Sequence, residues 1–212
     1  MNLSQSPKLS VHPIMAESFA IIDRELGPHS FAPDAYAIVR RVIHATADFE
    51  FSELLHFSPG AIASSIAALR AGVPIVVDVE MLERAVASTV ARTFGNPLLS
   101  AISRADAAEP GKTRTETGLL RCFAEYPHGL YAIGNAPSAL KALCTATITS
   151  SERPAAIVGA PVGFVGVVAA KQLLAQTPVP QIRIDGRKGG TPAAAAILNA
   201  LLVLAYESVR SG

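Results

Sequence analysis

The stretch Leu130-Tyr131-Ala132-Ile133-Gly134-Asn135-Ala136-Pro137-Ser138 decides the fold. Four residues of strand character run into a turn containing glycine and asparagine, and a proline then stands where a helix takes its first residue. The same order recurs twice downstream. Residues 155–158 read as a strand, followed by Gly159-Ala160-Pro161-Val162-Gly163-Phe164-Val165-Gly166 and a helix to about 176. Residues 181–184 read as a strand, followed by Asp185-Gly186-Arg187-Lys188-Gly189-Gly190-Thr191-Pro192 and a helix to about 206. Strand, glycine-bearing turn and helix, repeated without a repeat in sequence, is the βαβ pattern of a parallel sheet with helices on both faces. Ligands of such sheets bind outside the carboxyl ends of the strands. Asp78 and the three turns should therefore line up along one edge.

Toward the N-terminus, Ile75-Val76-Val77-Asp78-Val79 is a continuous apolar run, as expected of a strand covered on both faces. Residues 54–57 form a shorter candidate strand. Helices are predicted over 14–26, stopped by Gly27-Pro28, and from Pro33-Asp34 onward. A third is expected over 61–71, with Ser58 as N-cap and Pro59 at its first position, and a fourth over 116–125. The segment 81–103 reads as a helix over 80–87 followed by a strand at either 90–94 or 98–102. Residues 107–117 read as a polar loop carrying Lys112 and Arg114.

Length and composition set the bounds. At 212 residues a single domain spanning 1–212 is expected. Half of the residues are hydrophobic and 17% are charged, which excludes a disordered chain. A formal net charge of +1, no tryptophan and few aromatics leave no basic field or stacking platform for nucleic acid. Cys122 and Cys144 fit no CxxC spacing and read as two buried thiols. No apolar leader is apparent in residues 1–10, and the longest apolar run, 193–205, is interrupted by Asn199 and is too short to cross a bilayer. A cytoplasmic protein with no membrane partner is expected.

The chemistry-bearing residues cluster at Arg40-Arg41-Val42-Ile43-His44-Ala45-Thr46-Ala47-Asp48. On a helix Arg40, Arg41 and His44 share a face. Cations are favoured near a helix C-terminus in any case, so a structural histidine and a general acid or base both fit. The five histidines show no metal-ligand spacing, and the GxSxG of a nucleophile elbow is absent. The turn 159–166 fails as a dinucleotide fingerprint, because Pro161 stands where the second glycine belongs. The turn 186–190, with two cations before a helix start, suits phosphate or carboxylate.

Five blocks, in this order, resemble the precorrin-8X methylmutase family, including its cobalt-precorrin-8 counterpart. They are Val42-Ile43-His44-Ala45, Phe57-Ser58-Pro59-Gly60-Ala61, Ile133-Gly134-Asn135-Ala136-Pro137-Ser138-Ala139, Pro161-Val162-Gly163-Phe164-Val165-Gly166 and Gly186-Arg187-Lys188-Gly189-Gly190. The resemblance implies a three-layer α/β/α, flavodoxin-like fold, consistent with a mostly parallel sheet of about five strands. It implies migration of a methyl group between adjacent ring C carbons of a corrinoid precursor, giving hydrogenobyrinate or cobyrinate. A homodimer with no separate cofactor and no bound metal is implied as well. His44 matches the catalytic histidine, and Ser18 and Arg41 match substrate-contacting positions. Arg187 and Lys188 suit the peripheral carboxylates of such a substrate, and Arg114 is a further candidate. Gly134, Asn135, Gly163 and Gly166 would let backbone approach a flat ring, while Thr46 and Asp48 would orient His44 or meet the ring periphery. The competing readings are a catalytically silent tetrapyrrole carrier and a nucleotide-binding α/β enzyme.

Overall fold

The computed structural model describes residues 12–210; the segment 1–10 read above for a leader lies outside them. Six strands form one sheet: β1 (Leu55–Phe57), β2 (Ile75–Val77), β3 (Leu98–Ser100), β4 (Leu130–Ile133), β5 (Ala156–Gly159) and β6 (Gln181–Ile184). Their order across the sheet is β1-β6-β5-β4-β2-β3. All neighbours pair in parallel except β1, which runs antiparallel to β6 at one edge. The sheet has six strands against about five expected; of the two alternatives, 98–100 forms the strand, while 90–92 completes a helix.

The helices are α1 (Pro13–Leu26), α2 (Pro33–Thr46), α3 (Phe51–Leu54), α4 (Ala61–Arg70), α5 (Glu80–Arg92), α6 (Arg114–Glu125), α7 (Pro137–Thr149), α8 (Val167–Gln176) and α9 (Thr191–Arg210). They make the outer two of three α/β/α layers. Successive strand residues point to opposite faces. Ile75, Val77, Leu130, Ala132, Val158 and Ile182 therefore pack with α1, α2, α4, α5 and α9, whereas Val76, Tyr131, Ile133 and Ile157 pack with α6, α7 and α8. The apolar runs of β2 and β4 are buried at every position, as sheets covered on both sides require.

Two expectations are corrected. Ser58 does not cap α4. Its hydroxyl accepts from the Gln181 N–H at 2.8 Å and so pins the end of β1 to β6, and α4 starts two residues beyond Pro59, after Gly60 at φ 74°. By length and composition alone, α9 is long and apolar enough over Thr191–Val209 to cross a bilayer, since the helix outruns the apolar stretch 193–205. Most of that window is buried, and α9 packs centrally against α2, α4 and α5. Cys122 and Cys144 are both free and buried; burial pushes the Cys144 thiol up to about 11.

Candidate active site

The carboxyl ends of β4, β5 and β6 bring the turns 134–136, 160–166 and 185–190 side by side. Because β1 is antiparallel, its start also lies at this edge, with Leu55 opposite Ile184. The chain arrives there from α2, so the C-terminal end of α2 and the link 47–50 join the rim. Asp78 and the three turns line up along one edge of the sheet, as the strand pattern predicted.

His44 lies in the last turn of α2. Its exposed ring stands edge-on to Phe19 of α1, with centroids 5.4 Å apart. A cleft of about 290 Å³ opens beside it, walled by Ser18, Ile21, Ile22 and Glu25 of α1 and by Ala47 and Phe49 beyond α2. Positions 18, 21, 22 and 25 repeat at helical spacing, so α1 turns one stripe toward His44. Ser18 and His44 therefore share a cleft; the Ser18 hydroxyl also donates to the Ile14 carbonyl at 2.9 Å. Among the described residues neither nitrogen of His44 has a hydrogen-bond partner. Ala47, directly after α2, adopts the left-handed conformation (φ 53°, ψ 32°) and closes the helix by an N–H bond to the Ile43 carbonyl.

The face shared by the three basic residues of α2 divides: neither arginine lines the His44 cleft, and Arg40 and Arg41 border another one together with Phe19. Arg40 bonds Asp23 at 3.0 Å and stacks its guanidinium over Phe19 at 4.4 Å, so its charge is compensated next to His44. Asp23 also accepts from Tyr36, whose phenol is pushed up to about 12 by burial and by that carboxylate. Arg41 lines that second cleft from α2, facing Ala200, Val203, Leu204 and Glu207 of α9, with Arg40 and Phe19 at its margin. Burial lowers its pKa, against the opposing pull of Glu207.

Thr46 and Asp48 do not orient His44. The Thr46 hydroxyl donates back to the Val42 carbonyl at 2.8 Å. Asp48 instead takes Lys188 Nζ at 2.5 Å, and Glu50 takes the same ammonium at 2.6 Å. These pairs tie the segment after His44 to the turn after β6. They also place two carboxylates on Lys188, so Arg187, exposed with its guanidinium 5.8 Å over the Phe164 ring, is the more open cation of the turn.

The turn after β4 differs from its expected use. Asp78, fully buried at the end of β2, accepts the N–H groups of Gly134 (3.1 Å), Asn135 (2.6 Å) and Ala136 (2.8 Å). The anion position at the start of α7 is thus filled by the protein's own carboxylate. Burial raises the Asp78 carboxyl against the opposing effect of these three bonds. Gly134 is buried too: a Cβ there would come within 3.0 Å of Ala194 and 3.1 Å of Thr191. It makes room for α9 rather than for a ligand. The Asn135 side chain remains exposed, and Gly163 (φ 156°) is half-buried, where a Cβ would lie 3.9 Å from Pro137 and 4.0 Å from Val167. Arg114 opens α6 behind a Thr113–Glu116 capping box, and its Nε donates to the carbonyls of Ile102 and Ala105. It lies toward the β3 side of the edge, away from His44.

Sequence reasoning missed Glu25, Phe19 and Phe49 around His44, although the α1 stripe carries the first as a helical repeat from Ser18. It also missed Lys171 of α8. Lys171 is 1% exposed and donates to the carbonyls of Gly186 (2.9 Å) and Lys188 (2.6 Å). A lone lysine in an apolar helix carries no signal of that partnership.

An unengaged imidazole at the rim of a mostly parallel sheet, sharing a cleft with a serine hydroxyl, marks the candidate site of this α/β/α protein. The precorrin-8X methylmutase family model matches residues 13–204, and the chain belongs to that family. It is 52% identical to the cobalt-precorrin-8 methylmutase of Synechocystis sp., over 92% of this chain and 97% of that protein. It is 38% identical to the precorrin-8X methylmutase of Sinorhizobium sp., over 89% of this chain and 92% of that protein. The solved structure of precorrin-8x methyl mutase from Thermus thermophilus superposes with a TM-score of 0.84 at 39% identity, covering 93% of this chain and 99% of that one. The chain is accordingly an isomerase of cobalamin biosynthesis, an intramolecular methyl transferase. The carrier and nucleotide-enzyme readings give way to it.

Proposed function

We propose that this chain, acting as one domain, moves a methyl group between adjacent ring C carbons of precorrin-8X or cobalt-precorrin-8. The product is hydrogenobyrinate or cobyrinate. His44 gives a proton to a macrocycle nitrogen and takes it back. One bond from the methyl carbon breaks as the other forms, so atoms balance within the substrate. The reading requires no nucleophile and no separate cofactor, only a ring held in the reactive tautomer. Imidazole is suited to that proton transfer near neutral pH. The observation that carries the proposal is His44 itself: among the described residues neither ring nitrogen has a protein partner, and the ring lies in a mostly apolar cleft shared with Ser18.

The cleft at His44 takes one margin of a planar ligand, and the rest lies over the rim formed by the turns after β4, β5 and β6. Ser18, Thr46, Asn135 and Gly163 border that margin. Arg187 meets peripheral carboxylates, with Lys188 sharing its ammonium between Asp48, Glu50 and the ligand. Arg41 and Arg114 face other directions within one chain and reach the substrate only from its far periphery or in a homodimer. The protein works in the cytoplasm as that homodimer, with no nucleic acid or membrane partner.

The test is to add hydrogenobyrinic acid to purified protein and follow the visible spectrum, then to supply precorrin-8X. A spectral shift on binding and conversion of precorrin-8X are expected. Binding without conversion would make the protein a carrier; no response to either corrinoid would overturn the assignment.

A further inference from the structure

We infer that Lys171 is a positioning residue that fixes the turn after β6 so that two backbone N–H groups face a ligand carboxylate. Lys171 reaches the turn from α8, beneath it, and its ammonium holds the carbonyls of Gly186 and Lys188 inward. In a trans peptide the carbonyl and the next N–H point in opposite directions. Drawing those two oxygens toward Lys171 therefore turns the N–H groups of Arg187 and Gly189 away from it. Among the described residues neither N–H has a protein acceptor.

The intervening groups are anchored separately. The Arg187 carbonyl accepts from the Gly163 N–H at 3.2 Å, and the Gly190 N–H donates to the Ala160 carbonyl at 2.8 Å. Gly189, at φ 147°, lies so close to the turn after β5 that a Cβ would meet the Ala160 oxygen at 2.3 Å. The two turns therefore form one clamped unit with Lys171 at its base. With the Arg187 guanidinium alongside, the outward amides make a site for a planar carboxylate. This role rests on the corrinoid reading, in which the ligand carries peripheral carboxylates.

Two variants and one spectrum test it. Lys171→Met removes the donors, and Lys171→Gln keeps two N–H donors without the charge. Lys171→Met is expected to weaken hydrogenobyrinic acid binding about tenfold and to raise KM with kcat retained. Lys171→Gln is expected to restore affinity to within about threefold of wild type. In a 15N-resolved NMR titration of the wild type with hydrogenobyrinic acid, the Arg187 and Gly189 amide protons should move downfield. Equal affinity in wild type and a folded Lys171→Met would overturn the role of Lys171. So would a loss in kcat alone. If neither variant folds, the amide shifts decide, and their absence on saturation of the wild type overturns the inference. Failure of the wild type to bind at all would instead overturn the corrinoid reading.

Discussion

Lys188 Nζ lies 2.5 Å from Asp48 Oδ2, across 140 residues of chain, and so couples the segment that follows His44 to the turn after β6. The lysine hydrogen bond holds the Asp48 carboxyl below the usual carboxylate range. A depressed carboxyl contributes stability above its unfolded value, and that contribution is lost as pH falls through the folded value. Asp48→Asn should therefore lower the melting temperature slightly at pH 7, with the difference from wild type disappearing at the acid end of a titration. The pair is solvent-accessible, so a two- to fivefold rise in KM, roughly, is the expected kinetic effect.

Asp78 is the stronger internal anchor. Replacing it by Asn presents an amide nitrogen or a weaker acceptor to three inward N–H groups in a dry site. A loss of about 2–4 kcal/mol is expected from leaving such donors poorly satisfied. Urea unfolding of Asp78→Asn and Asp78→Ala measures it, with the alanine variant at or beyond the upper end.

Lys171 carries a pH signature of its own. Burial lowers its ammonium from an ordinary value of 10.5 to about 8. For a base depressed in the folded state, the folded protein gains stability relative to the unfolded chain as pH rises from 8 toward 10.5. Wild type should therefore gain on Lys171→Gln over that interval, by up to about 3 kcal/mol. Parallel unfolding curves at pH 7, 8.5 and 10 read the gain; a difference that stays flat would mean that the ammonium is not desolvated.

Ala47 ends α2 at φ 53°, where an L side chain is strained. Ala47→Gly should stabilise the protein by roughly 0.5–1 kcal/mol. Thermal unfolding checks it, and a destabilised variant would show that the Ala47 methyl packs against the wall of the His44 cleft strongly enough to outweigh the strain.

The sheet was legible because three strand–turn–helix units carry both periodicity and punctuation, and because β2 and β4 are apolar at every position. The strand at 98–100 was ambiguous, since three residues beside a proline do not by themselves outweigh the alternative at 90–94, of which 90–92 ends α5. His44 and Ser18 were named as site residues through the family resemblance, whereas the cleft they share, walled by the α1 stripe of Ile21, Ile22 and Glu25, belongs to packing between helices. Spacing on α2 grouped Arg40, Arg41 and His44, but Asp23 and Phe19 of α1 hold Arg40, and both arginines border the cleft against α9 rather than the one at His44. Gly134 and Asp78 show the same limit. Their residue types suggested a ligand edge, whereas their partners, Thr191, Ala194 and three backbone amides, make them structural.

The central claim is that His44 moves the proton that permits methyl migration. Its most direct measurement is single-turnover conversion of precorrin-8X by wild type and His44→Ala, each first shown to bind hydrogenobyrinic acid. A loss of roughly 10²- to 10⁴-fold in the rate of conversion with product affinity retained is expected for a positioned general acid–base group. Equal rates in the two proteins would contradict the account and remove His44 from the mechanism.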